Sequence, residues 1–137
     1  MLKDAYICSL ALCMDLIGGK WKIIIIWYLY HGPLRFSTIK RILGGITQKM
    51  LTQQLRELEE AGLVNRKVYP VVPPKVEYSL TEQALGLFPT LNSMCEWGQE
   101  YATKYGIKRN PPKLPPEIAD RPGGRLHSSF DSDAPTG

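Results

Sequence analysis

Apolar positions recur at helical spacing over most of the chain, and the clearest case runs from Ile46 to Leu63. Leu51, Leu55 and Leu58 fall at i, i+4 and i+7 and make one apolar stripe. Lys49, Thr52, Gln53 and Arg56 make a second stripe on another face, and it contains no acid. Glu57, Glu59 and Glu60 are held back at the C-terminal end, where Glu59 is placed to pair with Arg56 at i+3. Thr47 suits an N-cap, because its hydroxyl can accept from an unpaired amide at a helix start. Gly62 suits the stop, since glycine takes the left-handed conformation at little cost. The result is a helix of about 15 residues, roughly 22 Å long, led by cations and amides. Those dimensions and that chemistry fit a DNA major groove. Taken alone, the same pattern also fits an amphipathic helix with a solvated polar face.

The pattern on either side narrows the choice. Leu2 to Ile17 reads as a helix with Ala5, Leu10, Ala11, Cys13, Met14 and Ile17 available to bury, and Gly18-Gly19 breaks it. Lys20 to Tyr30 is apolar on most sides and reads as the central core helix, ended by His31-Gly32-Pro33. Arg35-Phe36 opens a short segment, with Ser37 as the expected cap of a helix over residues 38–43. Two short helices separated by Gly44-Gly45, the second with a polar face, make a helix-turn-helix pattern.

After Gly62 the period becomes two. Leu63 to Tyr69 and Lys75 to Leu80 read as strands, joined by the proline-rich loop over residues 70–74. The fold class is therefore α+β, mostly α: a winged helix-turn-helix with a two-stranded wing and extra terminal helices. The wing would bring Arg66, Lys67 and Lys75 beside the polar helix. A last helix is expected from Thr81-Glu82 to about Tyr105, with Pro89 inside it as a kink. Because the winged helix already has a core, this apolar helix needs a partner, either a second copy in a twofold dimer or its own domain. Residues 1–109 are expected to form the domain. Residues 110–137, rich in Pro, Gly and Ser, are expected to form a mobile tail that buries little.

Charge sharpens this picture. The 137 residues carry a net charge of +4, but residues 33–75 alone hold eight basic and three acidic side chains, a local +5. A concentrated positive field points to a polyanionic partner. The longest apolar run, Ile23 to Tyr30, is too short to span a membrane, and no signal-peptide pattern opens the chain, so the cytoplasm is expected. The cysteines Cys8, Cys13 and Cys95 have no metal-type spacing, and His31 and His127 have no paired acid or thiol nearby in sequence. No phosphate loop is present. The expectation is a protein without catalysis, metal or cofactor.

Several segments together resemble the HxlR-type winged helix-turn-helix transcriptional regulators of bacteria and archaea. They are Cys8 with Gly18-Gly19-Lys20-Trp21, Gly32-Pro33-Leu34-Arg35-Phe36, Ile46-Thr47-Gln48-Lys49-Met50-Leu51-Thr52 and Leu55-Arg56-Glu57-Leu58-Glu59. Gly62-Leu63-Val64 with Arg66, the run from Pro73 to Thr81 (PPKVEYSLT) and Trp97-Gly98 complete the set, which covers roughly residues 8–100. The resemblance implies a homodimer, joined through its terminal helices, that binds near-palindromic double-stranded operator DNA. A subset of that family senses oxidants or electrophiles through the N-terminal cysteine, which implies a sensor role for Cys8. Ser9 follows Cys8 where many members have Pro, and a small residue buried in a dimer interface is the competing role. Cys13 and Cys95 lie on apolar faces and are expected to pack.

The expected DNA-binding set follows. Arg35, Lys40, Arg66 and Lys75 would contact phosphates, while Thr47, Gln48, Lys49, Thr52, Gln53 and Arg56 line the helix that faces the bases. The competing class is a winged helix used as a protein- or RNA-interaction module. A protein-docking helix would show apolar anchors where this stripe shows Lys, Thr, Gln and Arg.

Overall fold

A computed structural model describes residues 2–119 and 121. Its elements are α1 (Ser9–Ile17), α2 (Lys22–Leu29), β1 (Leu34–Arg35), α3 (Phe36–Leu43), α4 (Gln48–Glu60), β2 (Val64–Tyr69) and β3 (Lys75–Leu80). They are followed by α5 (Glu82–Leu85), α6 (Phe88–Tyr105) and α7 (Pro116–Ala119). The apolar α2 is the centre of the core, where Ile25 and Ile26 are fully buried. Ile39 and Ile42 of α3, Leu51, Leu55 and Leu58 of α4, and Val64 and Tyr78 of the sheet close around it. All three leucines of the apolar stripe are thus in the core, which fixes the opposite stripe outward.

The ends of α4 follow from sequence. Thr47 Oγ1 accepts from the Met50 amide at 3.1 Å. At the other end Gly62 takes φ +75° and lets the Leu63 amide reach back to the Leu58 carbonyl at 3.0 Å. Space is not the constraint there, since a Cβ on Gly62 would meet nothing within 4 Å. The positive φ alone calls for glycine.

The sheet differs from the expected two-stranded wing. It has three strands in the order β1-β3-β2, all antiparallel. Leu34 and Arg35 pair with Tyr78 and Glu77, a strand too short to show any alternation in sequence. This pairing also moves the start of α3. Arg35 is its N-cap at φ −76° and ψ 155°, and the helix begins at Phe36, so Ser37 is an exposed residue of the first turn rather than the cap. Thr81 joins the hairpin to α4, donating from Oγ1 to the Gly62 carbonyl at 2.7 Å and accepting from the Ala84 amide at 3.3 Å.

The expected last long helix is two helices. α5 is a single turn, and Pro89 lies in the first turn of α6, where its missing N–H removes no intrahelical bond. The pair docks on α2 through aromatic packing. The rings of Trp27 and Phe88 stack with centroids 5.9 Å apart, and Tyr30 meets Phe88 edge-on at 4.9 Å. The Tyr30 hydroxyl donates to the Ala84 carbonyl at 2.7 Å, and burial pushes its pKa up to about 12.

Both ends of the chain depart from expectation. α1 starts at Ser9, not Leu2, and none of its residues is buried: Leu10 is 72% and Met14 61% exposed, and Cys13 is exposed too. At the other end, the segment after Asn110 buries more than its composition suggests. Ile118 is 2% exposed and belongs to the core, with Leu114 packed against it. Two polar contacts accompany this, Arg41 Nη2 to Glu117 Oε1 at 3.4 Å and Arg121 Nη1 to the His31 carbonyl at 3.3 Å. Residue 120 and residues 122–137, on which the rest of the expected tail falls, lie outside the described residues.

Candidate nucleic-acid interface

The polar stripe stands on the surface as its spacing requires. Gln48, Lys49, Thr52, Gln53 and Arg56 are all exposed, and with Glu57 and Glu60 they line an open depression of about 690 Å³ along α4. Thr47 is exposed at the head of the helix. The Thr52 hydroxyl donates to the Gln48 carbonyl at 2.8 Å, so its lone pairs are what it presents outward. Arg56 does not pair with Glu59 as expected. Among the described residues it makes no ion pair, and it instead shares a second depression with Thr52, Glu59, Arg66 and Tyr78.

Glu57 is held at the edge of this face by two contacts. Its Oε2 lies 2.9 Å from Lys22 Nζ, and its Oε1 accepts from Gln53 Nε2 at 3.4 Å. Lys22 hydrogen-bonded to the carboxylate, helped by Gln53, holds Glu57 below the usual carboxylate range against the opposing effect of partial burial. Lys22 was no part of the expected set. The available signal was a lysine beginning the otherwise apolar run KIIIIWYL, since a cation there needs a counter-charge.

The wing divides its cations between two faces. Arg66 is opposite Tyr78 in the β2–β3 register, on the side that meets α4. Lys67 and Arg35 are both opposite Glu77, on the other side of the sheet. There Lys75 Nζ lies 2.8 Å from Glu77 Oε1 and the Tyr69 hydroxyl donates to Oε2 at 3.3 Å. Lys67 and Lys75 each sit 4.8 Å from the centre of the Tyr69 ring. The ammonium of Lys75, with Tyr69 and Arg35 adding to it, holds the Glu77 carboxyl below its ordinary value.

The expected residues therefore form two groups. Thr47, Gln48, Lys49, Thr52, Gln53, Arg56 and Arg66 share one surface. Arg35 and Lys75 stand together around Glu77, and Arg41, absent from the expected set, lines the same depression. Lys40, in the last turn of α3, lines neither surface and is half-buried. Cys8 is exposed immediately before α1, and Cys95 is half-buried in an apolar depression of about 290 Å³ between α2 and α6. Among the described residues no three His, Cys, Asp or Glu side chains cluster to hold a metal, and no helix is long and apolar enough to cross a membrane.

Known proteins give this geometry a context. An uncharacterized HTH-type transcriptional regulator of Methanothermobacter thermautotrophicus is 52% identical over 100 residues, which are 73% of this chain and 76% of that one. The solved structure of the redox regulator HypR in its oxidized form is 52% identical, with a TM-score of 0.65 over 68% of this chain and 96% of that chain. The reduced form of the transcriptional regulator YodB from B. subtilis is 36% identical, with a TM-score of 0.62 over 71% of this chain and 97% of that one. The family model for HxlR-like helix-turn-helix proteins matches residues 16–105, the span that holds α2, the whole polar stripe and the wing. On that match and those identities, the chain belongs to the HxlR-like helix-turn-helix family of transcriptional regulators.

Proposed function

We propose that this regulator works as a homodimer that binds a near-palindromic operator in double-stranded DNA, with α4 in the major groove of each half-site. The observation that carries the reading is an exposed, acid-free stripe on a helix whose other side is locked into the core, with Arg66 of the wing beside it. Gln48, Lys49, Thr52, Gln53 and Arg56 would read base edges, with Thr47 at the groove entrance. Arg66 would contact the backbone next to α4, and Arg35, Lys40 and Lys75 would supply the remaining phosphate contacts. Lys75 is the weakest of these, because Glu77 already neutralises it. The exposed apolar side chains of α1 and α6 favour pairing with a second copy. Two recognition helices would then be spaced about 34–36 Å apart, one turn of DNA.

Selection of bound duplexes from a random pool tests this directly. The expected result is an enriched site with two related half-sites one turn apart. Affinity for it should fall steeply with salt, with a slope of about −0.9 per phosphate contacted. Arg56→Ala should weaken discrimination at one base position by about 1–3 kcal/mol while the fold persists. A pool without enrichment and a flat salt response would refute the reading.

We further infer that Cys8 is an oxidant sensor. Its exposure before α1 supports this, as does similarity to a protein named as a redox regulator and solved in oxidized and reduced forms. Diamide should then release DNA from the wild type but not from Cys8→Ser. Equal release from both would remove the sensor role.

A further inference from the structure

The ion pair between α2 and α4 does more than join two helices. We propose that Lys22 and Glu57 set the base specificity of Gln53, with Lys22 fixing Glu57 and Glu57 fixing which way the Gln53 carboxamide faces. This rests on the DNA-binding reading above.

The geometry is a short relay from core to surface. Lys22 is on the helix that contributes the fully buried Ile25 and Ile26, and its side chain is only 14% exposed. Its ammonium occupies one oxygen of Glu57 at 2.9 Å, and the other oxygen accepts from Gln53 Nε2 at 3.4 Å. Gln53 stands one turn before Glu57 on the exposed stripe. A carboxamide has an oxygen and an NH2 of nearly equal shape, so an unrestrained glutamine turns over and offers a base either a donor or an acceptor. An ionised carboxylate accepts only, so it selects the orientation with NH2 toward Glu57. One N–H is then used inside the protein, and the carbonyl oxygen with the second N–H remains for the base edge. Lys22 holds the Glu57 carboxylate in place. Both are positioning residues, and Gln53 is the reader.

The test compares selected-site profiles of the full chain carrying Gln53→Ala, Glu57→Gln, Lys22→Met or Lys22→Arg, with a thermal melt of each. Gln53→Ala identifies the base position that Gln53 reads. Glu57→Gln keeps shape and hydrogen bonding but can donate or accept, so it should flatten preference at that same position from about tenfold or more to within about twofold. Lys22→Met should flatten it likewise, and Lys22→Arg should retain it. Loss of one negative charge in Glu57→Gln also raises affinity for all sequences together, which leaves the profile at other positions intact. An unchanged preference in folded Glu57→Gln and Lys22→Met overturns the proposal, and so does equal flattening at every position, because that is what a loosened α4 gives. Wild type that selects a site while these variants do not alter it sinks only this inference. Wild type that selects no site sinks the DNA-binding reading with it.

Discussion

Lys22 and Glu57 also carry a pH dependence, and its sign follows from the carboxylate. Glu57 is held below its ordinary value of 4.5 in the folded chain, so the unfolded chain binds its proton more readily. Its contribution to stability is therefore complete above about pH 4.5 and is lost as pH falls through the lower folded value. Glu77, lowered by Lys75, adds in the same direction. The Glu57 side chain is 40% exposed, so solvent screening keeps the effect modest. Thermal melts from about pH 3 to 6 should show Tm rising with pH in the wild type and rising less in Lys22→Met, in which Glu57 has lost its counter-charge. Parallel curves for the two would mean that Lys22 leaves the Glu57 carboxyl unperturbed. Sequence could not reveal this pair, because the partners belong to different helices and only packing brings them together. Thr47 and Gly62, by contrast, were legible because a cap and a stop act on neighbours along the chain.

At the scale of elements, what was readable depended on length. The three leucines of α4 and the alternation of β3 each repeat enough to declare a period, and both elements formed where expected. β1 has two residues and no period, yet its pairing with Glu77 and Tyr78 ties the start of α3 to the wing. The break after α5 was hidden for another reason. Leu85, Phe88 and Leu91 keep helical spacing across it, so periodicity ran on where the helix did not. Gly86, which caps α5, and Pro89 mark the break, and Pro89 stands in a first turn rather than at the expected kink. The two placements differ in energy. A proline inside a helix costs about 3 kcal/mol or more, so replacing it there would stabilise strongly. In the first turn no bond is missing and the preset φ suits the helix. Pro89→Ala should therefore change unfolding free energy by less than about 1 kcal/mol in urea titrations. A gain near 3 kcal/mol would place the proline in a continuous helix after all.

Across the whole molecule, core and surface divide the chain's apolar residues unevenly. The helix-turn-helix and the strands beside it supply most of the core, although the wing tip exposes Val68, Val71 and Val72, and the segment around Ile118 closes against the same core from beyond the stretch that the family model matches. The terminal helices do the reverse. Leu10 and Met14 of α1 stand exposed, as do Met94, Trp97, Tyr101 and Tyr105 of α6. Trp97 stacks on Tyr101 at 5.4 Å and Tyr101 meets Tyr105 at a tilt with centroids 4.6 Å apart, so these rings form a continuous apolar ladder rather than isolated exposed residues. Water-facing apolar surface of that kind marks a surface to be covered. α1 meets the core through half-buried Ile17 at its end, whereas Leu10 and Met14 stand clear of it. In the proposed homodimer, pairing and folding are then separable by mutation at Leu10 and Met14. Leu10→Glu with Met14→Glu should leave the secondary structure in place while converting the proposed dimer to a monomer in light scattering. A monomer holds one half-site with one α4, so operator affinity should fall by several orders of magnitude while non-specific binding at low salt changes little. A dimer that survives both glutamates would mean that the protomers meet through another surface, and α6 would be the next helix to charge.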